Sequence, residues 1–296
     1  MSSELIPEMP EITKLPLSTL RLAEPFSLNA SLECGQFFQW ERLGNGYVVQ
    51  RGAEIFYIRQ EDEFLAYSPL AGRVGTDDLI HFFRLDDDLV SIFNHWSDDA
   101  LIRRIYHKFR GLRILRQDPW ECTLSFLCSM ASNIPRITRN LKTLARQYGT
   151  PVETPLGTFY RLPSPEELNE ASLEDLYAAG LGFRAKYISG LLPAMRNGFS
   201  FQMVASQDYY NARDHLTAFH GIGEKIADCV QLFSLDYLEA FPVDTWIRQV
   251  LHRYYFSPEI RSPRKLGTLA REHFGAFGGY AQQYLFHAAK SGALDL

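Results

Sequence analysis

The amino-acid sequence predicts an α+β fold, in which an N-terminal antiparallel β-sheet precedes an α-helical body. From about residue 18 to about residue 72, aromatic or β-branched residues alternate with polar ones, a pattern typical of a half-buried sheet. Hairpin signals interrupt this segment at Gly44–Gly46 and Arg51–Ala53. Beyond Asp77 the apolar residues recur at helical spacing. We therefore expect a sheet domain with flanking helices over residues 1–112 and a helical domain over residues 113–296.

Acidic or hydroxyl side chains that stand just before apolar segments mark the starts of the predicted helices. Thr76 or Asp77 is expected to cap the first helix after the sheet. Ser164 precedes a proline, which is favoured at the first position of a helix. Ser172 is expected to cap the following helix, and Gly180 to end it. The sequence shows no internal repeat, heptad run or low-complexity segment.

Composition places the chain among ordinary globular proteins. Of its 296 residues, 46% are apolar and 22% are charged, and the formal net charge is −5. Because the chain is acidic overall, a site for a polyanion has to be a local basic patch. No apolar run approaches the roughly 20 residues of a membrane helix. The N-terminus carries acids and prolines and lacks the apolar region of a signal peptide, so we expect an intracellular protein.

The cysteines argue against a metal or iron–sulfur site. Cys34, Cys122, Cys128 and Cys229 form no C-x-x-C pair, and no second close pair completes a set of four thiolates. We therefore expect buried free thiols in a reducing compartment, with no metal and no redox cofactor.

Positive charge is concentrated in two neighbouring stretches. Six Arg and Lys and no acid lie between Arg103 and Arg116, and a second group follows at Arg136, Arg139, Lys142 and Arg146. A single run of this kind is as often a solvated surface as a binding site. Two neighbouring runs in an acidic chain favour a surface that faces a polyanion.

Two glycines, Gly221 and Gly223, separate two helical patterns and predict a helix-hairpin-helix unit over about residues 207–235. A dinucleotide fingerprint would need a preceding strand and a third glycine, and a P-loop would need Gly-Lys-Ser/Thr. Neither pattern is present. Glycines permit positive φ and close approach of another chain, and the open amides of the second helix form an anion site. Such a hairpin fits a nucleic-acid backbone.

Lys225 stands in the first turn of the second helix, where the helix dipole disfavours a cation. Burial among apolar residues would disfavour the ammonium form further. Two interpretations remain open from the residues alone. The lysine stem extends to solvent, or the site needs a neutral amine that acts as a nucleophile.

Eight ordered motifs resemble the 8-oxoguanine DNA glycosylase family of the helix-hairpin-helix DNA glycosylase superfamily, and together they cover most of the chain. The motifs are CGQFFQW (34–40) with FFRLDDDL (82–89), FRGLRILRQDPWECTLSFLCS (109–129), NIPRIT (133–138), GLGFRAKYIS (180–189), GIGEKIADC (221–229), FPVDTW (241–246) and YAQQYLF (280–286). The resemblance implies a DNA-repair enzyme that flips a damaged base out of the duplex.

The resemblance assigns catalysis to Lys225 and Asp244. It implies that the neutral amine of Lys225 attacks the sugar and forms a Schiff base, which permits strand cleavage by β-elimination. Asp244 stands where the N-cap of a helix is expected, and the same carboxylate would stabilise the cationic transition state. Asp228, three residues into its helix, is expected to serve packing or local hydrogen bonding.

Recognition of the base is carried over from the family to four positions. Gly35 matches the glycine whose carbonyl reads the N7 hydrogen of 8-oxoguanine, although by itself it is typical of a turn. Cys229 and Phe286 match the two faces that sandwich the flipped base, and without the resemblance both are typical core residues. Gln282 matches the amide on the Watson–Crick edge.

DNA contacts are carried over to a further set, with departures. Arg136 and Arg184 match the pair that holds the estranged cytosine, but Ala131 stands where the family has an asparagine that fills the vacated space. Phe183 replaces a wedging tyrosine and Trp246 a histidine near the phosphate. The full set of expected DNA-binding residues is Asn133, Arg136, Phe183, Arg184, Gly221, Gly223 and Trp246.

The sequence thus predicts a bifunctional 8-oxoguanine DNA glycosylase with abasic-site lyase activity. It is expected to act as a monomer on double-stranded DNA and to prefer cytosine opposite the lesion. It is placed in the nucleus of a eukaryote or the cytoplasm and nucleoid of a prokaryote. The alternatives are a helix-hairpin-helix glycosylase for another damaged base and a non-catalytic DNA-binding module. The module would need neither Lys225 with Asp244 nor the Gly35 loop.

Overall fold

The computed structural model describes residues 14–296. Residues 1–13, most of the segment on which the signal-peptide argument depends, lie outside this range. A five-stranded antiparallel sheet opens the described part, in the order β1-β5-β4-β3-β2. Its strands are β1 (Ser18–Arg21), β2 (Trp40–Leu43), β3 (Gly46–Arg51), β4 (Glu54–Glu61) and β5 (Phe64–Ala71). The two expected hairpins are confirmed, since Leu43 pairs with Gly46 and Arg51 pairs with Glu54 across two-residue turns.

The sheet is buried on both faces, whereas the sequence pattern indicates one buried face. Tyr47 and Phe56 pack on one side with Phe82. On the other side Val48 and Tyr57 contact Leu156. Leu156 lies in a second, two-stranded hairpin that the sequence pattern did not predict, formed by β6 (Pro151–Thr154) and β7 (Gly157–Tyr160).

The described helices surround and follow the sheet. They are α1 (Leu28–Glu33), α2 (Thr76–Phe82), α3 (Leu89–Asn94), α4 (Ala100–Lys108), α5 (Pro119–Cys128), α6 (Ile134–Tyr148), α7 (Pro165–Leu168), α8 (Leu173–Leu176), α9 (Arg184–Arg196), α10 (Phe201–Ala205), α11 (Tyr209–Thr217), α12 (Glu224–Ser234), α13 (Thr245–Tyr254), α14 (Pro263–Phe274) and α15 (Gly278–Lys290). The α+β fold class is confirmed. The domain boundary at 112/113 stays a prediction.

Most of the expected caps are confirmed, and one is wrong. Ser164 and Ser172 cap α7 and α8, and Gly180 has φ +82° at the end of the π-helical turn that follows α8. The cap of α2 is Gly75, not Thr76 or Asp77. The carboxylate of Asp78 accepts a hydrogen bond of 2.8 Å from the Gly75 amide and thereby fixes the helix start one residue earlier.

Two buried helices, α5 and α12, form the centre of the helical body. From Trp120 to Cys128 all residues of α5 are buried except Glu121. From Ile226 to Phe233 every residue of α12 is buried. Both helices are buried around almost their whole circumference, including the polar residues Asp228 and Gln231 of α12, and they pack against each other. Their facing ends position the candidate site.

The first basic stretch is not one DNA-facing surface. Arg113 is 1% exposed and donates to the backbone carbonyls of Arg84 and Asp87, with Glu24 at 3.2 Å. Arg116 forms an ion pair of 2.8 Å with Asp86. These two arginines therefore join the segment with Asp86 and Asp87, between α2 and α3, to the segment that precedes α5, because a buried guanidinium needs partners for its donors.

All four cysteines are buried and free, as expected. Among residues 14–296, no three His, Cys, Asp or Glu side chains are grouped so that they could hold a metal ion. Within the same residues, no helix combines the length and the apolar character needed to cross a membrane.

Candidate active site

The glycine hairpin joins α11 to α12, and its two glycines differ. Gly221 has φ +96°, and a Cβ there would lie 2.3 Å from Cγ of Tyr187, so only glycine fits. Gly223 has φ −83° and is the N-cap of α12. The expectation of positive φ therefore holds for Gly221 alone. A Cβ on Gly223 would meet no heavy atom within 4 Å. No side chain caps α12, so its first amides can bind an anion.

Lys225, in the first turn of α12, is directed inward toward the end of α5. Its Nζ donates a hydrogen bond of 3.1 Å to Oγ of Ser129 and lies 5.1 Å from the ring centroid of Phe126. The structure therefore does not support the interpretation in which the lysine stem extends along the surface to solvent. Both contacts come from the C-terminal end of α5, where Ser129 is the C-cap, because α5 and α12 pack together.

Asp244 caps α13 and also faces Lys225. Its carboxylate accepts a hydrogen bond of 2.8 Å from the Ile247 amide. Burial raises the pKa of Asp244, while the Ile247 amide and the nearby charge of Lys225 partly offset this rise. The capping interpretation and the interpretation as a carboxylate beside the lysine therefore hold together.

Two cavities meet at this pair. The first, of about 330 Å³, is the base cavity, and eight of the sequence-predicted residues line it: Gly35, Asn133, Lys225, Cys229, Asp244, Trp246, Gln282 and Phe286. The second, of about 590 Å³, is the hairpin groove and is lined by Gly221 and Gly223. Lys225, Asp244 and Trp246 line both cavities. The amine and the carboxylate therefore lie at the junction of the two.

The base cavity offers an unpaired acceptor. Nε2 of Gln282 donates a hydrogen bond of 3.1 Å to the Pro242 carbonyl, whereas its buried Oε1 has no hydrogen-bond partner among the described residues. A buried polar atom without a partner is unusual and calls for an explanation such as a ligand. Cys229 is 3% exposed, and burial raises the pKa of its thiol to about 12. The thiol is therefore neutral at pH 7.

Gly35 forms one wall of the base cavity in a conformation that favours glycine. Its φ is +92°, and a Cβ would lie 3.1 Å from Cδ1 of Ile134 and 3.5 Å from Cε1 of Phe286. A side chain here would be strained and would fill the space between the loop and the ring. The residue thus keeps the cavity open.

The remaining sequence-predicted DNA contacts are divided between surface and interior. Phe183 and Trp246 are 45% and 43% exposed, and Arg136 is also exposed. Asn133 caps α6 by accepting from the Arg136 amide at 3.0 Å. Arg184, in contrast, is 1% exposed.

Arg184 uses its terminal donors on the loop between α5 and α6. It donates to the carbonyls of Met130, Ala131 and Leu181, the last two at 3.1 and 3.2 Å. Burial lowers the pKa of Arg184, and the nearby charge of Arg136 contributes to this. Ala131 itself has φ +43°. Arg184 thus holds this loop, and in this arrangement it does not lie on the open surface.

Asp228 lies away from the two cavities. It accepts a hydrogen bond of 2.6 Å from the Tyr209 hydroxyl, and burial raises its pKa to about 6. This geometry confirms the expected local hydrogen-bonding role.

Sequence reasoning missed several residues of the base cavity: Phe38, Phe126, Ser129, Ser132 and Lys290. Phe38, Phe126 and Ser129 lie inside matched motifs. Nothing in their local pattern separates a cavity wall from ordinary core, because the cavity forms only when distant segments pack. Lys290 carried one usable signal, since it follows Phe286 by one helical turn.

A helix-hairpin-helix unit that places a lysine and a carboxylate beside two cavities defines the class of helix-hairpin-helix base excision DNA repair proteins. Residues 124–275 match the sequence model described as "HhH-GPD superfamily base excision DNA repair protein". Residues 19–123 match the one described as "8-oxoguanine DNA glycosylase, N-terminal domain". The chain belongs to the 8-oxoguanine DNA glycosylase family.

Relatives from several organisms agree with this assignment. An N-glycosylase/DNA lyase of Saccharomyces cerevisiae is 32% identical over 86% of this chain and 81% of its own length. A probable N-glycosylase/DNA lyase of Methanothermobacter thermautotrophicus is 32% identical over 73% of this chain and 75% of its own. The Clostridium acetobutylicum 8-oxoguanine glycosylase/lyase, solved with double-stranded DNA containing cytosine opposite 8-oxoguanine, matches with a TM-score of 0.87 and 30% identity. That match covers 93% of this chain and 96% of the other.

The enzyme class follows from the family. The expectation of a DNA N-glycosylase with lyase activity is confirmed, and the alternative of a non-catalytic DNA-binding module is set aside.

Proposed function

We propose that this protein excises 8-oxoguanine and related oxidised purines from duplex DNA and then cleaves the abasic strand through a lysine Schiff base. The observation that supports this most directly is the position of Lys225 and Asp244 at the junction of the base cavity and the hairpin groove. A flipped nucleotide with its base in one cavity and its phosphates in the other has its sugar at that junction.

Lys225 acts as the nucleophile. Its neutral amine attacks C1′ of the sugar while the N-glycosidic bond breaks. The electron pair of that bond leaves with the base, and the base takes up the proton that the attacking nitrogen loses on bonding to C1′. The sugar ring then opens to a Schiff base, and loss of a proton from C2′ expels the 3′ phosphate by β-elimination. The Ser129 hydroxyl, 3.1 Å from Nζ, orients the amine.

Asp244 stabilises the positive charge that develops on the sugar. A carboxylate held rigidly by the Ile247 amide requires little reorganisation during the reaction. Its negative charge also lies near the Lys225 amine.

Four residues bind the base. The Gly35 carbonyl accepts from N7–H, which 8-oxoguanine has and guanine lacks. The unpaired Oε1 of Gln282 accepts from the donors of the Watson–Crick edge. Phe286 and Cys229 lie on the two faces of the ring, and the neutral thiol gives Cys229 an apolar contact surface.

The hairpin groove binds the DNA backbone. Gly221, Gly223 and the uncapped amides of α12 contact phosphate without reading sequence. Trp246, which lines both cavities, lies against the flipped nucleotide. The exposed ring of Phe183 inserts into the DNA duplex beside the flipped nucleotide.

The loop between α5 and α6 faces the strand opposite the lesion. Asn133 fixes the start of α6, so that the exposed Arg136 can donate to the O2 and N3 acceptors of an unpaired cytosine. The buried Arg184 supports this preference by holding the carbonyls of Met130 and Ala131. Adenine lacks the same acceptor pair, so cytosine is favoured.

The protein acts as a monomer and needs neither a metal nor a redox cofactor. Its substrate places it inside the cell, in the nucleus of a eukaryote or in the cytoplasm and nucleoid of a prokaryote.

The lesion is tested by single-turnover excision from matched duplexes that carry 8-oxoguanine, an alkylated purine or an oxidised pyrimidine opposite the normal partner. Fastest release of 8-oxoguanine is expected. Faster release of either other base would support the alternative of a helix-hairpin-helix glycosylase for a different lesion.

A further inference from the structure

The base cavity contains a second lysine, which no step of the proposed reaction uses. Lys290 is the last residue of α15 and lines this cavity together with Gln282 and Phe286. The three residues are spaced by four, and such residues lie on one face of a helix. Helix α15 therefore presents an amide, an aromatic ring and an ammonium group to the cavity as one stripe.

The amine of Lys290 lies beside the Gly35 loop. A Cβ built on Gly35 would be 3.4 Å from Nζ of Lys290 and 3.5 Å from the ring of Phe286. The amine is thus as close to this loop as the ring that is expected to stack on the base. A base that packs against the Gly35 loop and the Phe286 ring therefore also comes close to the amine.

Lys290 has no hydrogen bond or ion pair within residues 14–296. Glu33, the carboxylate whose charge acts on Lys290, pairs with Arg42 at 2.6 Å and accepts from the Tyr47 hydroxyl at 2.7 Å. Burial raises the pKa of the neighbouring Cys34 thiol to about 11, so the thiol is neutral at pH 7. Partial burial lowers the pKa of Lys290, and the charge of Glu33 partly offsets this. The amine therefore faces the cavity without a committed partner.

We propose that Lys290 is a specificity-determining residue, whose ammonium group donates a hydrogen bond to the C8 oxygen of the flipped base. The inference rests on the proposed function, because it needs an oxidised purine in the cavity. Oxidation of guanine converts N7 from an acceptor to a donor and adds a carbonyl oxygen at the adjacent C8. Gly35 reads the first change and Lys290 the second.

The ammonium group of Lys290 distinguishes 8-oxoguanine from guanine by the atom that each base presents at C8. Against the C8 oxygen the ammonium group forms a charge-assisted hydrogen bond. In guanine the same position is a C8–H, and the adjacent acceptor N7 is directed at the Gly35 carbonyl rather than at the amine. The ammonium group then loses water without gaining the C8 hydrogen bond, which penalises the normal base. Two adjacent atoms of the same edge are then read by two different groups, a backbone carbonyl and a side-chain cation.

The experiment compares wild type, Lys290→Met, Lys290→Arg and the control Lys108→Met. Lys108 is likewise the last residue of a helix, α4, and lines neither the base cavity nor the hairpin groove. Single-turnover excision of 8-oxoguanine opposite cytosine is measured beside cleavage of a duplex with a preformed abasic site. Lys290→Met should slow excision about tenfold and leave abasic-site cleavage within twofold. Lys290→Arg should keep most of the excision rate, and Lys108→Met all of it.

A second substrate isolates the oxygen. 8-Thioguanine keeps N7–H but carries sulfur at C8, a weaker acceptor, so Lys290→Met should slow its release less than that of 8-oxoguanine. Equal excision by wild type and Lys290→Met would overturn the inference, as would an equal loss in excision and abasic-site cleavage. A wild type that releases no 8-oxoguanine would instead overturn the proposed function.

Discussion

At the scale of single residues, Asp244 combines a structural task with the chemical task that we propose for it. It caps α13, and burial raises the pKa of its carboxyl. Because the folded-state pKa is raised, ionisation of Asp244 reduces stability as the pH rises through that pKa. The charge is therefore retained at a small loss of stability, as expected of a group that serves the reaction.

Asp244→Asn should separate the two tasks. Asparagine caps helices about as well as aspartate, so the melting temperature should change by no more than about 2 °C. Loss of the negative charge should lower single-turnover excision by at least about 100-fold. An enzyme whose activity falls only with its folded fraction, measured by thermal melting, would contradict a role in the reaction.

Ala131 offers a second test at this scale. Its φ of +43° lies in the left-handed region, which asparagine adopts more readily than alanine. Ala131→Asn should therefore fold at least as well as wild type and regain one polar contact to the opposite cytosine. A contact of about 1 kcal/mol corresponds to about a fivefold higher ratio of excision opposite cytosine to excision opposite adenine. An unchanged ratio in single-turnover assays would mean that this loop does not set the preference.

At the scale of elements, the hairpin between α11 and α12 depends on two glycines for different reasons. Gly221 has a left-handed backbone and contacts Tyr187, whereas Gly223 has ordinary φ and open space around it. The first glycine is needed for folding. The second leaves room for a DNA backbone.

The substitutions Gly221→Ala and Gly223→Ala form a matched pair. Gly221→Ala should lower the free energy of unfolding by more than about 2 kcal/mol, from left-handed strain and the clash with Tyr187. Gly223→Ala should lower it by less than about 1 kcal/mol and should weaken binding to undamaged duplex. Chemical denaturation and a DNA titration measure the two effects. Equal losses of stability in Gly221→Ala and Gly223→Ala would contradict the different roles of the two glycines.

Elements with a strong local signal could be predicted from the sequence, and those fixed by distant contacts could not. The two sheet hairpins and the Ser164 and Ser172 caps follow from local turn and capping chemistry. The β6–β7 hairpin was missed because its short, exposed strands show little alternation, and it is stabilised by packing of Leu156 on the sheet.

The residues of the candidate active site could likewise be predicted only where a local signal marks them. Lys225 and Asp244 could be chosen from their positions at helix starts together with the family resemblance. The burial of Arg184 under the loop at Met130 and Ala131 could not be foreseen, because it depends on how α9 packs beneath that loop.

At the scale of the whole molecule, Glu121 links the sheet to the helical body. Its carboxyl accepts from the Gly52 amide in the β3–β4 turn and from the Gln39 amide at 3.4 Å. Partial burial between the sheet and the helical body raises its pKa to about 8, and the nearby Asp118 contributes to this. The folded state therefore retains this proton more tightly than the unfolded chain does.

Glu121 should make stability depend on pH. Since its folded-state pKa is raised, its contribution is fully present below the unfolded-state pKa of about 4.3 and is lost as the pH rises toward 8. The melting temperature of Glu121→Gln, taken relative to that of wild type, should therefore rise by about 5 °C between pH 5 and pH 8. The exposed Glu166→Gln should show no such divergence. If the difference in melting temperature between wild type and Glu121→Gln stayed the same from pH 5 to pH 8, this role of Glu121 would be contradicted.

The central claim, that the amine of Lys225 attacks the sugar at the junction of the two cavities, is tested most directly by borohydride trapping. Wild type, Lys225→Gln and the control Lys265→Gln are incubated with an 8-oxoguanine:cytosine duplex, and peptide mapping locates the adduct. Wild type and Lys265→Gln should give a covalent complex at Lys225. Lys225→Gln should give neither complex nor excision while it still binds the duplex. Excision by Lys225→Gln at the wild-type rate, or an adduct at another residue of the wild type, would contradict the mechanism.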